Sequence, residues 1–361
     1  KVIPVCFSTN DKEALKELIK RYSIFIANDS VKMIDLTYSL NCRRSHLSER
    51  ICFLVNDKAC LIKKIQSYLK EGFVDGVTKG TAVSGKQVFV YTGMGPQWAG
   101  MGKYLYETHS VFRDSLLSCD KTFQSVSGWS ILNEVLKDES QSRMLETRIA
   151  QPANFVIQVA LTEMLAHWGI KPDAVVGHSV GEVAAAYVSG ALSLEDACMV
   201  SLHRSNLQQT LSGCGGMVAA ALSVEQAKKL IRDYETVSIA AINGPETVTL
   251  AGDIPTLKII SHKLDEEKIF NRLLDVDIPY HSHSMTAIRD RLLAVLKNIK
   301  PRKTTIPLYS TVTGSLLDGV SVDAEYWWKN VRQPVLFFNA MTEIMNGGYQ
   351  HAIEVGPHPV L

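Results

Sequence analysis

The chain has almost no excess charge of either sign: 38 Lys and Arg against 37 Asp and Glu leave a net of +1. That excludes bulk attraction to nucleic acid or to an anionic membrane, so an acidic partner has to be met by a local patch. There is no uninterrupted apolar run of membrane-spanning length, because His178, Glu182 and Asp196 interrupt the longest ones. There is no C-x-x-C pair. The seven cysteines, Cys6, Cys42, Cys52, Cys60, Cys119, Cys198 and Cys214, are scattered and odd in number, which fits a reducing, cytoplasmic setting and suggests no metal site. No signal-peptide pattern, internal repeat or low-complexity segment is visible. The sequence begins at Lys1 and stops abruptly in "GPHPVL", as expected of a piece of a longer chain.

What is present is enough for a sizeable core. Over 361 residues, 46% are hydrophobic and 21% charged, a length and balance that suggest two or more domains. Residues 1–85 alternate short strand patterns ("VIPVCFST", "RICFLVN") with amphipathic helix patterns ("DKEALKELIKRY", "DKACLIKKIQSYLKEG"), a small α/β module. The polar, glycine-bearing stretch "TKGTAVSGK" marks a boundary before the strand "QVFVYTG". From 86 to 361 strand and helix alternate, the pattern of a mostly parallel sheet. Inside that part, residues 216–277 read βαββαβ, the ferredoxin-like order.

One short stretch carries chemistry. "DAVVGHSVGE" is an apolar strand turning into helix formers through G-x-S-x-G, which holds Ser179 on a sharp bend with a helix N-terminus behind it. A serine hydroxyl is a weak nucleophile and needs a base, most often histidine. Five of the ten histidines, His46, His109, His167, His203 and His262, lie in or beside polar helical patterns, where a solvated side chain is the default, and His351 and His358, flanking the last strand, stay open as candidates. "DIPYHSHSM" differs: it sits where the ferredoxin-like segment returns to the main domain, and such junctions form clefts. Pattern alone favours His281 or His283 and does not choose between them.

Several separate blocks between Lys86 and Leu361 resemble the acyltransferase domains of fatty acid and polyketide synthases and the discrete malonyl transacylases: "YTGMGPQWAGMG", "TRIAQPANFVIQVAL", "GHSVGE", "PLYSTVTG" and "EVGPHPVL". The resemblance implies an α/β-hydrolase-like parallel-sheet core with the ferredoxin-like subdomain inserted at 216–277. It also implies roles. The family's catalytic histidine is followed four residues later by methionine, which selects His281, with Met285, as the base. The oxyanion donors would be the backbone N–H groups of Val180 and Met94. Arg204 would pair with the free carboxylate of a malonyl or methylmalonyl group, and Gln151, Tyr280 and His178 would line the pocket, whereas Asn243, in the turn "NGPE", reads as structural. No acidic residue completes a triad; a main-chain carbonyl within 330–337 would orient the histidine.

The reaction implied is transfer of the extender unit from a coenzyme A thioester, through a seryl ester, to the phosphopantetheine thiol of an acyl carrier protein, with no permanently bound cofactor. Residues 1–85 resemble the linker between a ketosynthase and an acyltransferase, so a ketosynthase domain is the expected covalent neighbour. Together with "YH" at 280–281, this points to an animal-type synthase. The competing reading is a serine hydrolase or thioesterase that uses the same elbow and delivers the acyl group to water.

Overall fold

The structure is a computed structural model that describes residues 2–28 and 30–361. The chain divides into two compact units, one running to Ser84 and the other spanning Gly85–Leu361.

In the first unit the order is β1 (Ile3–Thr9), α1 (Lys12–Ile26), α2 (Met33–Cys42), β2 (Glu49–Val55), α3 (Lys58–Glu71) and β3 (Val77–Thr81). Asp11 and Asp57 cap α1 and α3 by accepting from the Ala14 and Cys60 amides. The strands form an antiparallel sheet in the order β1-β2-β3. Val5, Phe7, Ile51 and Phe53 alternate onto one face and bury against Leu15, Ile19, Leu61 and Ile65. The division at Ser84 and Gly85 falls inside the expected boundary at 78–86, but the first part of that stretch belongs to the strand Val77–Thr81. It looks polar because it is a largely exposed sheet edge.

The second unit begins with β4 (Lys86–Tyr91) and passes through α4 (Lys103–Thr108), α5 (Ser110–Ser127), α6 (Ile131–Val135) and α7 (Thr147–His167) to β5 (Ala174–Gly177), α8 (Gly181–Val188) and α9 (Leu194–Gln209). The insert follows as β6 (Gly216–Ala220), α10 (Val224–Ile231), β7 (Ser238–Gly244), β8 (Thr247–Gly252), α11 (Ile254–Glu266) and β9 (Asn271–Leu273). The chain returns through α12 (Arg289–Leu296), β10 (Leu308–Ser310), β11 (Ser315–Leu317), α13 (Ala324–Arg332), α14 (Phe337–Asn346) and β12 (Tyr349–Val355).

The main sheet has the order β11-β10-β5-β4-β12, parallel except for the β10-β11 hairpin. Its central strands are apolar on both sides because both sides are covered. Phe89, Tyr91 and Val175 enter one core with α5, α7 and α8, while Val88, Val90, Ala174 and Val176 enter a second with α14. The insert forms its own antiparallel sheet, β7-β8-β6-β9, the ferredoxin-like arrangement. Helix α7 starts at Thr147, earlier than Pro152 suggests, so Gln151 lies inside the helix. No helix among the described residues is long and apolar enough to cross a membrane.

Candidate active site

The elbow joins β5 to α8, and its geometry follows from two glycines. A Cβ on Gly177 would collide with the Gly181 backbone and the Glu182 amide; one on Gly181 would collide with the Tyr91 carbonyl and lie 2.6 Å from that of Thr92. Only glycine lets the bend close this tightly against the end of β4, where the His178 amide donates to the Tyr91 carbonyl at 2.9 Å. Ser179 is left in the left-handed region at φ 52°, unusual for a residue with a Cβ. Its carbonyl accepts from the Glu182 amide at 3.1 Å and from Asn330 Nδ2 at 3.1 Å.

His281 arrives from the far side. The neck of the insert is pinned where the Gly213 amide donates to the Asp277 carbonyl at 2.9 Å. Four residues beyond, His281 is also left-handed, at φ 58°. Its Nε2 lies 2.7 Å from Ser179 Oγ and its Nδ1 lies 3.0 Å from the Gln333 carbonyl. A carbonyl only accepts, so Nδ1 carries the proton and Nε2 is free to accept from the serine hydroxyl. The orienting carbonyl within 330–337 is therefore that of Gln333. His283 is exposed at the start of a 3-10 turn, so of the two histidines only His281 reaches the serine. Met285 is buried with its Sδ 3.9 Å from Gln208 Nε2.

Arg204 comes from α9, opened by the Ser193 cap. It is 1% exposed, and its Nη2 donates to Ser179 Oγ at 3.1 Å. Nη1 donates to Gln151 Oε1 at 2.6 Å and Gln208 Oε1 at 3.1 Å, and Nε to Asn330 Oδ1 at 3.0 Å. All four acceptors are neutral. Burial, followed by the Arg204 and His178 side chains, depresses the His281 imidazole to about 3, and burial lowers the Arg204 guanidinium to about 10.

Neither the Val180 nor the Met94 amide donates to a protein acceptor among the described residues; Val180 sits at the N-cap of α8 and Met94 in the loop after β4. Gln151 touches Arg204 directly. The Tyr280 ring is buried beside His281 with its hydroxyl 2.5 Å from Thr147 Oγ1. His178 Nε2 lies 2.9 Å from Asn243 Oδ1, and its ring packs on Phe337. The expectation for Asn243 needs correction: its side chain reaches across from β7 to hold the elbow histidine rather than serving its own turn.

Three residues were missed from sequence. Gln208 stands one helical turn after Arg204, a spacing that could have revealed it. Asn330 bridges the Ser179 carbonyl, Arg204 and Glu182. Glu182, 2% exposed, accepts from the Thr311 amide at 2.5 Å, Tyr326 Oη at 2.8 Å and Asn330 Nδ2 at 2.9 Å, which ties the elbow to β10 and α13.

Comparison with known proteins fits this geometry into a family. The model of the acyl transferase domain matches residues 88–361, and that of a CurL-like polyketide synthase C-terminal region matches residues 4–65. The chain is 36% identical over 363 residues to mycoketide-CoA synthase of Mycobacterium tuberculosis, covering 100% of this chain and 9% of that one. It is 32% identical over 363 residues to an erythronolide synthase of Saccharopolyspora erythraea, covering 99% and 10%. It thus spans about a tenth of the length of these relatives. Among solved structures, the acyltransferase domain from module 8 of the salinomycin polyketide synthase superposes with a TM-score of 0.95 at 32% identity, covering 99% of this chain and 86% of that one. The chain belongs to the acyl transferase domain family, as an acyltransferase domain of the polyketide synthase type.

Proposed function

We propose that the domain carries a dicarboxylic acyl unit, malonyl or methylmalonyl, from coenzyme A through an ester on Ser179 to the phosphopantetheine thiol of an acyl carrier protein. The observation that carries this reading is the Arg204 guanidinium, buried among neutral partners and in hydrogen-bond contact with the serine oxygen. A buried cation whose direct partners are all neutral is costly. A substrate carboxylate laid against it removes that cost and brings the other end of the same short acyl group to Ser179.

Ser179 passes its proton to His281 Nε2 and attacks the thioester carbonyl, and the tetrahedral alkoxide accepts from the Val180 and Met94 amides. The carbon–sulfur bond breaks, and His281 protonates the departing thiolate. In the second half His281 takes the proton of the carrier thiol, whose sulfur attacks the seryl ester; the bond from the acyl carbon to Ser179 Oγ breaks, and His281 returns the proton to Oγ. Gln333 holds the imidazole tautomer throughout, and Gln151 and Gln208 hold Arg204. Tyr280 and His178 shape the pocket. A bound carboxylate offsets the Arg204 field that weakens His281, so an extender unit strengthens the base that acts on it. The first unit joins the domain to a ketosynthase in the longer synthase.

Incubation with malonyl-coenzyme A, with and without carrier protein, tests the proposal by thiol release and intact mass. The wild type gains one malonyl group and passes it to the carrier. Ser179→Ala gains none and loses activity on the order of 10⁶-fold. Thiol release at an equal rate without carrier makes the protein a hydrolase and overturns the reading.

A further inference from the structure

The first unit holds four cysteines, Cys6, Cys42, Cys52 and Cys60, and two of them form a pair. The antiparallel register of β1 and β2 sets Cys6 directly opposite Cys52. Because side chains alternate, their neighbours Val5, Phe7, Ile51 and Phe53 face the helices, and the two cysteines share the other, half-buried face of the sheet. β1 is an edge strand, and its Cys6 amide points outward to Asn41 Oδ1 at 3.0 Å instead of across to β2. The two residues are therefore a non-hydrogen-bonded pair, a geometry in which Cα atoms approach to about 4.5 Å, within the roughly 4.4–6.8 Å that a disulfide spans.

Both are free thiols, set facing each other by the strand register. They line an open depression with His46, Arg50, Thr78 and Lys79, so a small reagent can reach them. The neighbouring Cys52 thiol, against the opposing effect of burial and with the charges of His46 and Arg50, holds the Cys6 thiol down to about 6, while Cys6 pushes Cys52 up. This division suits an attacking thiolate beside a resolving thiol. Cys119 and Cys198 are buried, and burial raises both.

We propose that Cys6 and Cys52 form a redox-active dithiol that a hydroperoxide closes into a cross-strand disulfide. The Cys6 thiolate attacks one peroxide oxygen; the O–O bond breaks, Cys6 becomes a sulfenic acid, and the other oxygen leaves as alcohol or water after taking a proton. The Cys52 sulfur then attacks the sulfenic sulfur, its proton goes to the departing hydroxyl, and water leaves. Two thiols lose two electrons and one hydroperoxide gains them. The product staples the edge strand β1 to β2.

The test treats the full chain with one equivalent of hydrogen peroxide, alkylates the remaining thiols and maps the digest by mass spectrometry. A Cys6–Cys52 linked peptide pair is expected, reversed by dithiothreitol and formed about tenfold faster than modification of the exposed Cys42 or Cys214. In Cys52→Ser, with circular dichroism confirming the fold, Cys6 stops as a sulfenic acid that dimedone traps. Oxidation of Cys42 or Cys214 ahead of the pair overturns the proposal, as does a folded Cys52→Ser protein whose Cys6 forms no dimedone adduct.

Discussion

The two sheets of the larger unit deliver one half of the Ser179–His281 pair each, by different physical means. The five-stranded parallel sheet presents Ser179 locally: a strand end, two glycines and a helix start confine the bend within a few residues. The four-stranded antiparallel insert presents His281 by closure over distance: its neck is pinned at Gly213 and Asp277, and the Val335 amide donates to the Ala240 carbonyl of β7 at 2.9 Å, two residues from the Gln333 carbonyl that orients the imidazole. Both routes end in the same place. Of three non-glycine residues with positive φ among those described, two are Ser179 and His281; the third is Lys268. Strain of this kind persists only where surrounding contacts over-determine it.

The largest expected effect breaks the local side. In Gly181→Ala the new Cβ meets backbone carbonyls of β4 that cannot step aside, so a loss of more than about 3 kcal/mol, or no soluble protein, is expected in denaturant titration. Next comes the contact that spans both sides. Arg204→Ala is expected to cut malonyl transfer about 10²- to 10³-fold while sparing acetyl transfer. It also removes a cation that depresses His281, so the acid limb of kcat/KM is expected at higher pH than in the wild type; an unmoved limb would show that the Arg204 charge does not set the His281 titration.

Glu182→Gln sharpens the comparison, because this carboxylate braces the elbow against β10 and α13 without touching His281. It places an amide donor where only donors point, and a loss of about 2 kcal/mol in thermal unfolding is expected, together with slower acylation. The gentlest test is pH. Burial holds His178, His203 and His281 below the ordinary histidine value, so the unfolded chain binds these protons first as pH falls. Stability is full above about pH 6.5 and declines below it, chiefly through the fully buried His178 and His281, in melting curves at constant ionic strength.

What sequence reading could reach follows the same divide. The elbow was legible because its chemistry is contiguous, and the insert because alternation and helix periods survive in six consecutive elements. The base was legible only as a pair of candidates until family spacing chose His281. Gln208 was within reach through its one-turn spacing from Arg204, but Asn330 and Glu182 were not legible, since a buried amide or carboxylate reads as a surface residue until distant partners surround it. The start of α7 is hidden because Pro152 normally marks a first turn, whereas here the proline lies inside the helix. Asn243 was assigned to its own turn because its true partner lies 65 positions away.

The pinned neck also governs how such domains can be recombined. Since His281 follows Asp277 by only four residues, a splice inside that lobe would graft a foreign lever onto the imidazole that meets Ser179. Exchange between relatives has to take residues 212–285 as one block, with the seams outside the Gly213–Asp277 clasp.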